Sequence, residues 1–331
     1  VYSQSFELVG IYPTGFFCES RCYDCNVYFL GLIMLQIKNL TKFFGKRAVL
    51  QDLNLNIEKG EIYGLLGANG AGKTTTINII CGLLNYDDGL VNINGENLSV
   101  RSKYLLGVAP QENLLYPSLS CAENLSFFGK IYGLKGSKLK SAIYGSLQGV
   151  NLLERKDSPV DTLSGGMQRR LNIAVALIHN PKLLILDEPT TGLDIEARYE
   201  VWQLITSLKE QGMTILLTTH LLDEAQKLCD RIGIIKNGEI IAEGTLKELR
   251  KKVPAQEIII IKTDEEEKAI LKAQEKGFEH RYYGGDLAFL LPTILPLEEL
   301  IKYFDHINLT SITRQPVNLD HIYLEVTQNI E

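Results

Sequence analysis

The chain has 331 residues, 45% of them hydrophobic and 22% charged, with a mean hydropathy of zero. That composition can bury a sizeable core, and it excludes a disordered, collagen-like or low-complexity chain and a polytopic membrane protein. Lys plus Arg number 34 and Asp plus Glu 40, a net charge of −6, so the basic field of a nucleic-acid binder is absent and nucleic acid is not expected as a partner.

At ~100–200 residues per domain the length argues for two domains. Residues 1–33 show no sustained period of two or 3.6 and start with Val1. They hold Cys18, Cys22 and Cys25 at the spacing of an iron–sulfur motif, but no surrounding barrel follows and no fourth ligand lies nearby, so the spacing is read as coincidence. The segment is expected to be an extension that precedes the natural start at Met34 and carries no function. The longest apolar run, Val27 to Leu35, is nine residues, against the ~20 that a spanning helix needs, and neither an anchor nor a secretion signal is expected. Cys81, Cys121 and Cys229 sit among apolar neighbours, as reduced core residues of a cytoplasmic protein would.

Leu35 to Leu40 reads as a strand. A second short strand, Ile62 to Leu66, runs into Gly67-Ala68-Asn69-Gly70-Ala71-Gly72-Lys73-Thr74-Thr75, the G-x-x-x-x-G-K-[ST] pattern in its strand–loop–helix context. Glycines let such a loop turn its N–H groups toward phosphate oxygens, and the helix that follows offers its positive end to the same anion. Lys73 is placed to reach the β- and γ-phosphates and Thr74 to ligate magnesium.

Leu114 to Ser120 leads into a helix with Ser120 and Glu123 spaced as a capping box, followed by Leu125, Phe127, Phe128 and Ile131. Lys135 to Lys140 is expected to be a solvated loop between helices. Ser164-Gly165-Gly166 then precedes Leu171, Ala174, Val175 and Ile178 at i, i+3, i+4 and i+7. This is either a second anion-binding helix end or an ordinary Ser N-cap. Leu183 to Asp187 is a buried-strand run ending in an acid, and Glu188 follows. A carboxylate there would stand at the carboxyl edge of a parallel sheet beside a metal, with Glu188 free to polarise a water, though a solvated strand exit would look the same. His179, His280, His306 and His321 show no ligand spacing.

Beyond the basic stretch Arg250 to Lys252 and Pro254 comes a strand at Ile258 to Ile261 and a helix capped by Thr263 and Glu266. A turn at Gly284-Gly285-Asp286 between two strands, a helix from Pro296 to Phe304, an alternating segment Asn308 to Thr313 and a last helix with Leu319, Ile322, Tyr323 and Val326 complete it. The order is β-α-β-β-α-β plus a helix, a split βαβ pattern without phosphate loops, read as regulatory or dimer-supporting.

In order along the chain these motifs resemble the nucleotide-binding subunit of an ATP-binding cassette (ABC) transporter. Gly67 to Thr75 matches the Walker A loop, Leu163 to Gln168 the signature, Leu183 to Glu188 the Walker B strand, Gly192-Leu193-Asp194 the D-loop, Gln111 the Q-loop glutamine and His220 the switch histidine. The resemblance covers about Leu35 to Leu249, and the ending Asn318 to Glu325 is similar to that of the export-type branch related to drug-resistance, multidrug and Nod-factor exporters.

The resemblance implies an α/β P-loop NTPase cassette over residues 34–249, with a RecA-like core, a β-subdomain and a helical signature subdomain, followed by a small α+β ferredoxin-like domain over 250–331. It implies an ATPase using ATP and Mg²⁺. Glu188 would activate water, with His220, Gln111 and Lys73 as the other catalytic groups, while Thr74, Gln111 and Asp187 would hold the metal. Gly67, Asn69, Gly70, Ala71, Gly72, Lys73, Thr74 and Thr75 would bind nucleotide, joined by Ser164, Gly165, Gly166 and Asp194 reaching a second protomer's nucleotide.

The implied partners are a permease on a separate chain, at the cytoplasmic face of the membrane, and a second copy or a related ATPase. Leu114, Leu115, Tyr116 and Phe127 would form the groove for that permease. Two positions depart from the broad family pattern: Met167 stands where it has Gln, and Phe44 where an adenine-stacking Tyr is frequent; Phe keeps the π-face that stacking uses. Two rival readings are weaker. A cassette protein of ribosomes or DNA would carry a second cassette or a long insert, and a non-hydrolysing module would lack some of Lys73, Asp187, Glu188 and His220.

Overall fold

A computed structural model of the chain describes residues 32–328. Residues 1–31, with Cys18, Cys22 and Cys25, lie outside the described residues, and the first strand already includes Ile33.

Three sheets organise the described residues. In the first, β1 (Ile33–Phe44) and β2 (Arg47–Glu58) form a long antiparallel pair, joined by β4 (Asp88–Ile93) and β5 (Glu96–Asn97) in the order β2-β1-β4-β5. The strand read from Leu35 to Leu40 is longer than its apolar core because β2 pairs with it as far as Phe44.

The second sheet has the order β10-β9-β3-β8-β7-β6, built from β3 (Ile62–Leu66), β6 (Leu106–Ala109), β7 (Leu183–Asp187), β8 (Thr214–Thr219), β9 (Arg231–Lys236) and β10 (Glu239–Gly244). Its pairings are parallel except β10 on β9. Every residue of β3, β7 and β8 is buried, the reason these strands read as unbroken apolar runs. Because β3, β8 and β7 are neighbours in parallel register, Leu66 pairs with Thr219 and Asp187 with Thr218. The phosphate loop, the acid pair and His220 thus leave the sheet at one carboxyl edge, where open α/β sheets bind their ligands.

A helical layer, Cys121–Ile131, Gly136–Gly149 and the signature helix Gly165–Leu177, packs on that sheet. The capping box forms as expected: Glu123 N–H donates to Ser120 Oγ, and Ser120 N–H to the Glu123 carboxylate. Lys135–Lys140 is not a loop, since a helix starts at Gly136 and carries Lys138 and Lys140 on its exposed side. Leu147, with Ala142 and Ile143, packs on the core, and the buried Leu139 completes the apolar stripe that holds it down.

The third sheet runs β12-β13-β11-β14, with β11 (Glu257–Thr263), β12 (Glu279–Tyr283), β13 (Asp286–Leu291) and β14 (Leu309–Pro316), all antiparallel. Helices Glu266–Glu275 and Leu297–Tyr303 complete the β-α-β-β-α-β order. Alternation explains its two apolar faces. Ile259, Ile261, Leu287 and Phe289 face one cluster, while Ile258, Ala288 and Leu290 face another shared with Leu66, Ile232 and Ile234 of the second sheet.

The predicted Thr263 and Glu266 cap is absent: Glu265 is the cap residue, and its side chain makes no capping bond but accepts from Asn308 N–H at 3.0 Å. Thr263 Oγ1 instead accepts from Glu265 N–H and donates to the Asn308 carbonyl, pinning β11 to the chain entering β14. The closing helix Leu319–Gln328 returns to the second sheet and its helix Leu222–Leu228, where Leu319 N–H donates to Gln226 Oε1 at 2.9 Å and Lys236 Nζ to the Thr327 carbonyl.

Candidate functional site

At the carboxyl end of β3 the chain turns tightly. A Cβ on Gly67 would stand 2.6 Å from the Ile235 carbonyl oxygen, and Gly72 has φ of 117°, so the loop requires glycine at both places. The helix Lys73–Ile80 then begins with no side-chain cap and no acid in its first turn. Its first N–H groups, which have no partner inside the helix, are left for an anion. A cleft of about 460 Å³ lies over this helix end, lined by Asn69, Gly70, Gly72, Lys73, Thr74 and Thr75 from the loop, by Gln111 and Glu188, and by Phe44, Arg47 and Val49 from the first sheet.

Of the acid pair, Glu188 lines the cleft and Asp187 does not. Asp187 Oδ1 accepts from Thr218 Oγ1 at 2.5 Å. Glu188 has φ of 47°, a left-handed conformation that costs a non-glycine residue about 1–3 kcal/mol. Its N–H donates to the Thr218 carbonyl at 3.0 Å, and its side chain turns into the cleft. There Glu188 Oε1 stands 3.5 Å from Lys73 Nζ and 3.1 Å from His220 Nδ1, while Oε2 accepts from Thr191 Oγ1 at 3.3 Å. Lys73 Nζ also donates to the carbonyls of Gly67 at 2.7 Å and Ala68 at 3.2 Å. Cation and imidazole thus converge on the Glu188 carboxylate, with His220 itself outside the residues that line the cleft, and the exposed ring of Phe44 lines it too, with Lys42 Nζ 5.7 Å from its centroid.

One chain does not bring all the expected residues together. Gly67 and Ala71 shape the loop from beneath and are buried. Ser164, Gly165, Gly166 and Asp194 do not line the cleft. Ser164 Oγ accepts from Met167 N–H at 3.3 Å and Asp194 Oδ1 from Ala197 N–H at 2.8 Å, so each caps its own helix. Ser164, Gly165 and Asp194 are exposed, and Gly166 is packed so closely that a Cβ would lie 2.6 Å from Ala197 Cβ. In the groove segment Leu114, Tyr116 and Phe127 are exposed, the two rings edge to face at 4.8 Å. Leu115 departs from the expectation: it packs on the core beneath them.

Several site residues escaped the sequence reading. Arg47 and Val49 line the cleft because β2 turns back beside Phe44. Thr218, at the end of β8, was legible only as part of an apolar strand. Glu224 is wholly buried, and its Oε1 accepts from Thr190 Oγ1 at 2.7 Å and Trp202 Nε1 at 3.1 Å. Burial pushes its carboxyl above the usual range. No spacing rule marks such a residue, since its partners lie on other elements.

Comparison with known proteins identifies the family. The family profile described as "ABC transporter" matches residues 50–191. The chain is 38% identical over 305 residues to the linearmycin resistance ATP-binding protein LnrL of Bacillus subtilis (strain 168), covering 89% of this chain and 98% of that protein. It is 42% identical over 272 residues to the Nod factor export ATP-binding protein I of Ralstonia nicotianae, covering 81% of this chain and 78% of that one. Among solved structures, one titled as the ATP binding subunit of an ABC transporter superposes with a TM-score of 0.60 at 33% identity, over 66% of this chain and 92% of that one.

Proposed function

The chain belongs to the ATP-binding subunits of ABC transporters, and from that membership we propose that it binds Mg-ATP, pairs around two nucleotides and hydrolyses them to drive export through separate membrane subunits. The observation that carries the hydrolytic reading is the Glu188 carboxylate, held between Lys73 and His220 at the mouth of an uncapped helix end.

The residues present fit a magnesium nucleotide. Free amides and Lys73 face where phosphates would lie, and Thr74, Gln111 and Asp187 offer the hard oxygen donors that magnesium takes. The ion, when bound, would neutralise charge on the β- and γ-phosphate oxygens. Phe44 would stack on the adenine. Lys73, drawn off Glu188 by phosphate, would hold the γ-phosphoryl group, leaving Glu188 to accept a proton from the attacking water while His220 fixes its orientation. Ser164, Gly165, Gly166 and Asp194, exposed or beside exposed backbone and away from the chain's own cleft, are suited to a second protomer's nucleotide.

Leu114, Tyr116 and Phe127, on the segment that follows Gln111, are the surface for the permease, at the cytoplasmic face of the membrane. Export is supported by the relatives named for linearmycin resistance and Nod factor export. The net charge of −6 favours no nucleic-acid partner.

Mixing two inactive variants tests the reading. Lys73→Ala and Ser164→Arg homodimers should both be inactive. A mixed dimer keeps one intact Lys73 facing one intact Ser164, so ATP-dependent dimerisation should return, with hydrolysis at the intact site. Return of neither defeats the composite site.

A further inference from the structure

Arg169, on the signature helix, is 4% exposed and donates only to main-chain carbonyls. Its Nε reaches Pro189 at 2.7 Å, Nη2 reaches Asp187 at 2.8 Å, and Nη1 reaches Pro110 at 2.5 Å and Gln111 at 3.3 Å. Asn172, one turn further along the same helix, donates to the same Pro110 carbonyl at 3.3 Å. These acceptors are not generic loop positions. Asp187 and Pro189 are the residues either side of Glu188, whose φ of 47° puts it in the left-handed region, and Gln111 lines the nucleotide cleft.

Resting on the dimeric ATPase reading above, we infer that Arg169 is a positioning residue that ties the signature helix to the hydrolytic centre, so that docking of Ser164 and Gly165 on one nucleotide adjusts Glu188 and Gln111 at the other. A strained backbone persists only where its surroundings over-determine it. Here Arg169 grips the carbonyls before and after Glu188, while Thr218 takes the Glu188 N–H.

A guanidinium suits this task because it is a rigid, planar fork of five donors, whereas an ammonium is a compact point charge that cannot span four acceptors spread over two chain segments. Burial lowers the Arg169 pKa to about 10 against the opposing pull of Asp187 and Glu224, so it stays charged at neutral pH. From the far side, Glu224 accepts from Thr190, so the segment after Glu188 is held both by the signature helix and by the helix that follows His220.

The test compares wild type, Arg169→Lys and Arg169→Met as full chains with Mg-ATP, reading ATP affinity, kcat, the dependence of rate on ATP concentration, and melting temperature. Loss of positioning should lower kcat by about 10- to 100-fold in Arg169→Met. ATP affinity should stay within about threefold of wild type, since the phosphate cradle is untouched. Sigmoidal dependence on ATP should be lost, and Arg169→Lys should fall between the two.

A purely structural Arg169 would lower the melting temperature and leave kcat and the sigmoidal response of the folded protein unchanged, which overturns the inference. If Arg169→Met does not fold, Arg169→Lys decides by the same readouts. A wild type without Mg-dependent hydrolysis or ATP-dependent dimers defeats the dimeric ATPase reading itself. A cooperative wild type beside an equally cooperative Arg169→Met defeats only this inference.

Discussion

Lys73 and Glu188 form an ion pair at 3.5 Å, with side chains only 5% and 9% exposed. Charges this sealed hold each other in place, because separating them leaves an unpaired buried charge. In the reading proposed above, phosphate oxygens entering the cleft would compete with Glu188 for the lysine, and the pair would keep Glu188 occupied until nucleotide arrives.

Glu188→Gln should reduce hydrolysis by ~10²–10⁴-fold, the usual contribution of a positioned general base. ATP affinity should hold or tighten, since a neutral amide competes less for Lys73. Single-turnover hydrolysis and equilibrium nucleotide binding read the two effects separately; near-normal turnover removes Glu188 from the catalytic role.

Gly166→Ala should destabilise the chain by about 1–3 kcal/mol, the usual cost of overpacking, because the new methyl meets Ala197 Cβ at 2.6 Å. Adding Ala197→Gly should return much of the loss. Equal melting temperatures for Gly166→Ala and wild type would mean that these two helices yield more easily than their packing suggests.

Glu224 links stability to pH with a defined sign. Its carboxyl is raised above its ordinary value of 4.5 by burial, the largest cause, against opposing bonds from Thr219, Thr190 and Trp202. The folded state therefore holds this proton more tightly than the unfolded chain. Its stabilisation is full below the ordinary value and is lost as pH rises through the raised one. Glu224→Gln keeps an oxygen for Thr190 and Trp202 but does not titrate, so its melting temperature should fall less than that of wild type between about pH 4 and pH 8. Parallel curves would refute the assignment.

Tyr116→Ala and Phe127→Ala should each weaken co-purification with a co-expressed permease subunit by about tenfold or more, as loss of an aromatic anchor does. ATP affinity should not change, because neither ring lines the nucleotide cleft. Undiminished capture with both rings removed would place the membrane contact elsewhere.

The parts of this protein that announce themselves in sequence are those whose chemistry depends on neighbours along the chain. The loop Gly67 to Thr75 needs its glycines at fixed offsets from Lys73, Ser120 and Glu123 cap a helix within one turn, and the alternation in Ile258 to Ile261 places successive side chains on opposite faces. Local rules reach this far because backbone geometry sets the spacing. They misplace Thr263, whose hydroxyl is used by Asn308, 45 positions away, and they pass over the helix at Gly136, whose lysines outweigh a sparse apolar stripe.

What folding alone decides is which distant groups become neighbours. Parallel pairing of β3, β8 and β7 sets Asp187 against Thr218 and brings Lys73 and His220 to a single oxygen of Glu188, though Lys73 lies more than a hundred positions from either. Arg169 and Glu224 are illegible for a related reason: their partners are carbonyls and hydroxyls found on nearly every residue type, and only the packed structure selects which of them a buried charge must satisfy. The chemistry of the site is thus written locally, whereas its assembly follows from strand order and from the cost of burying a charge without partners.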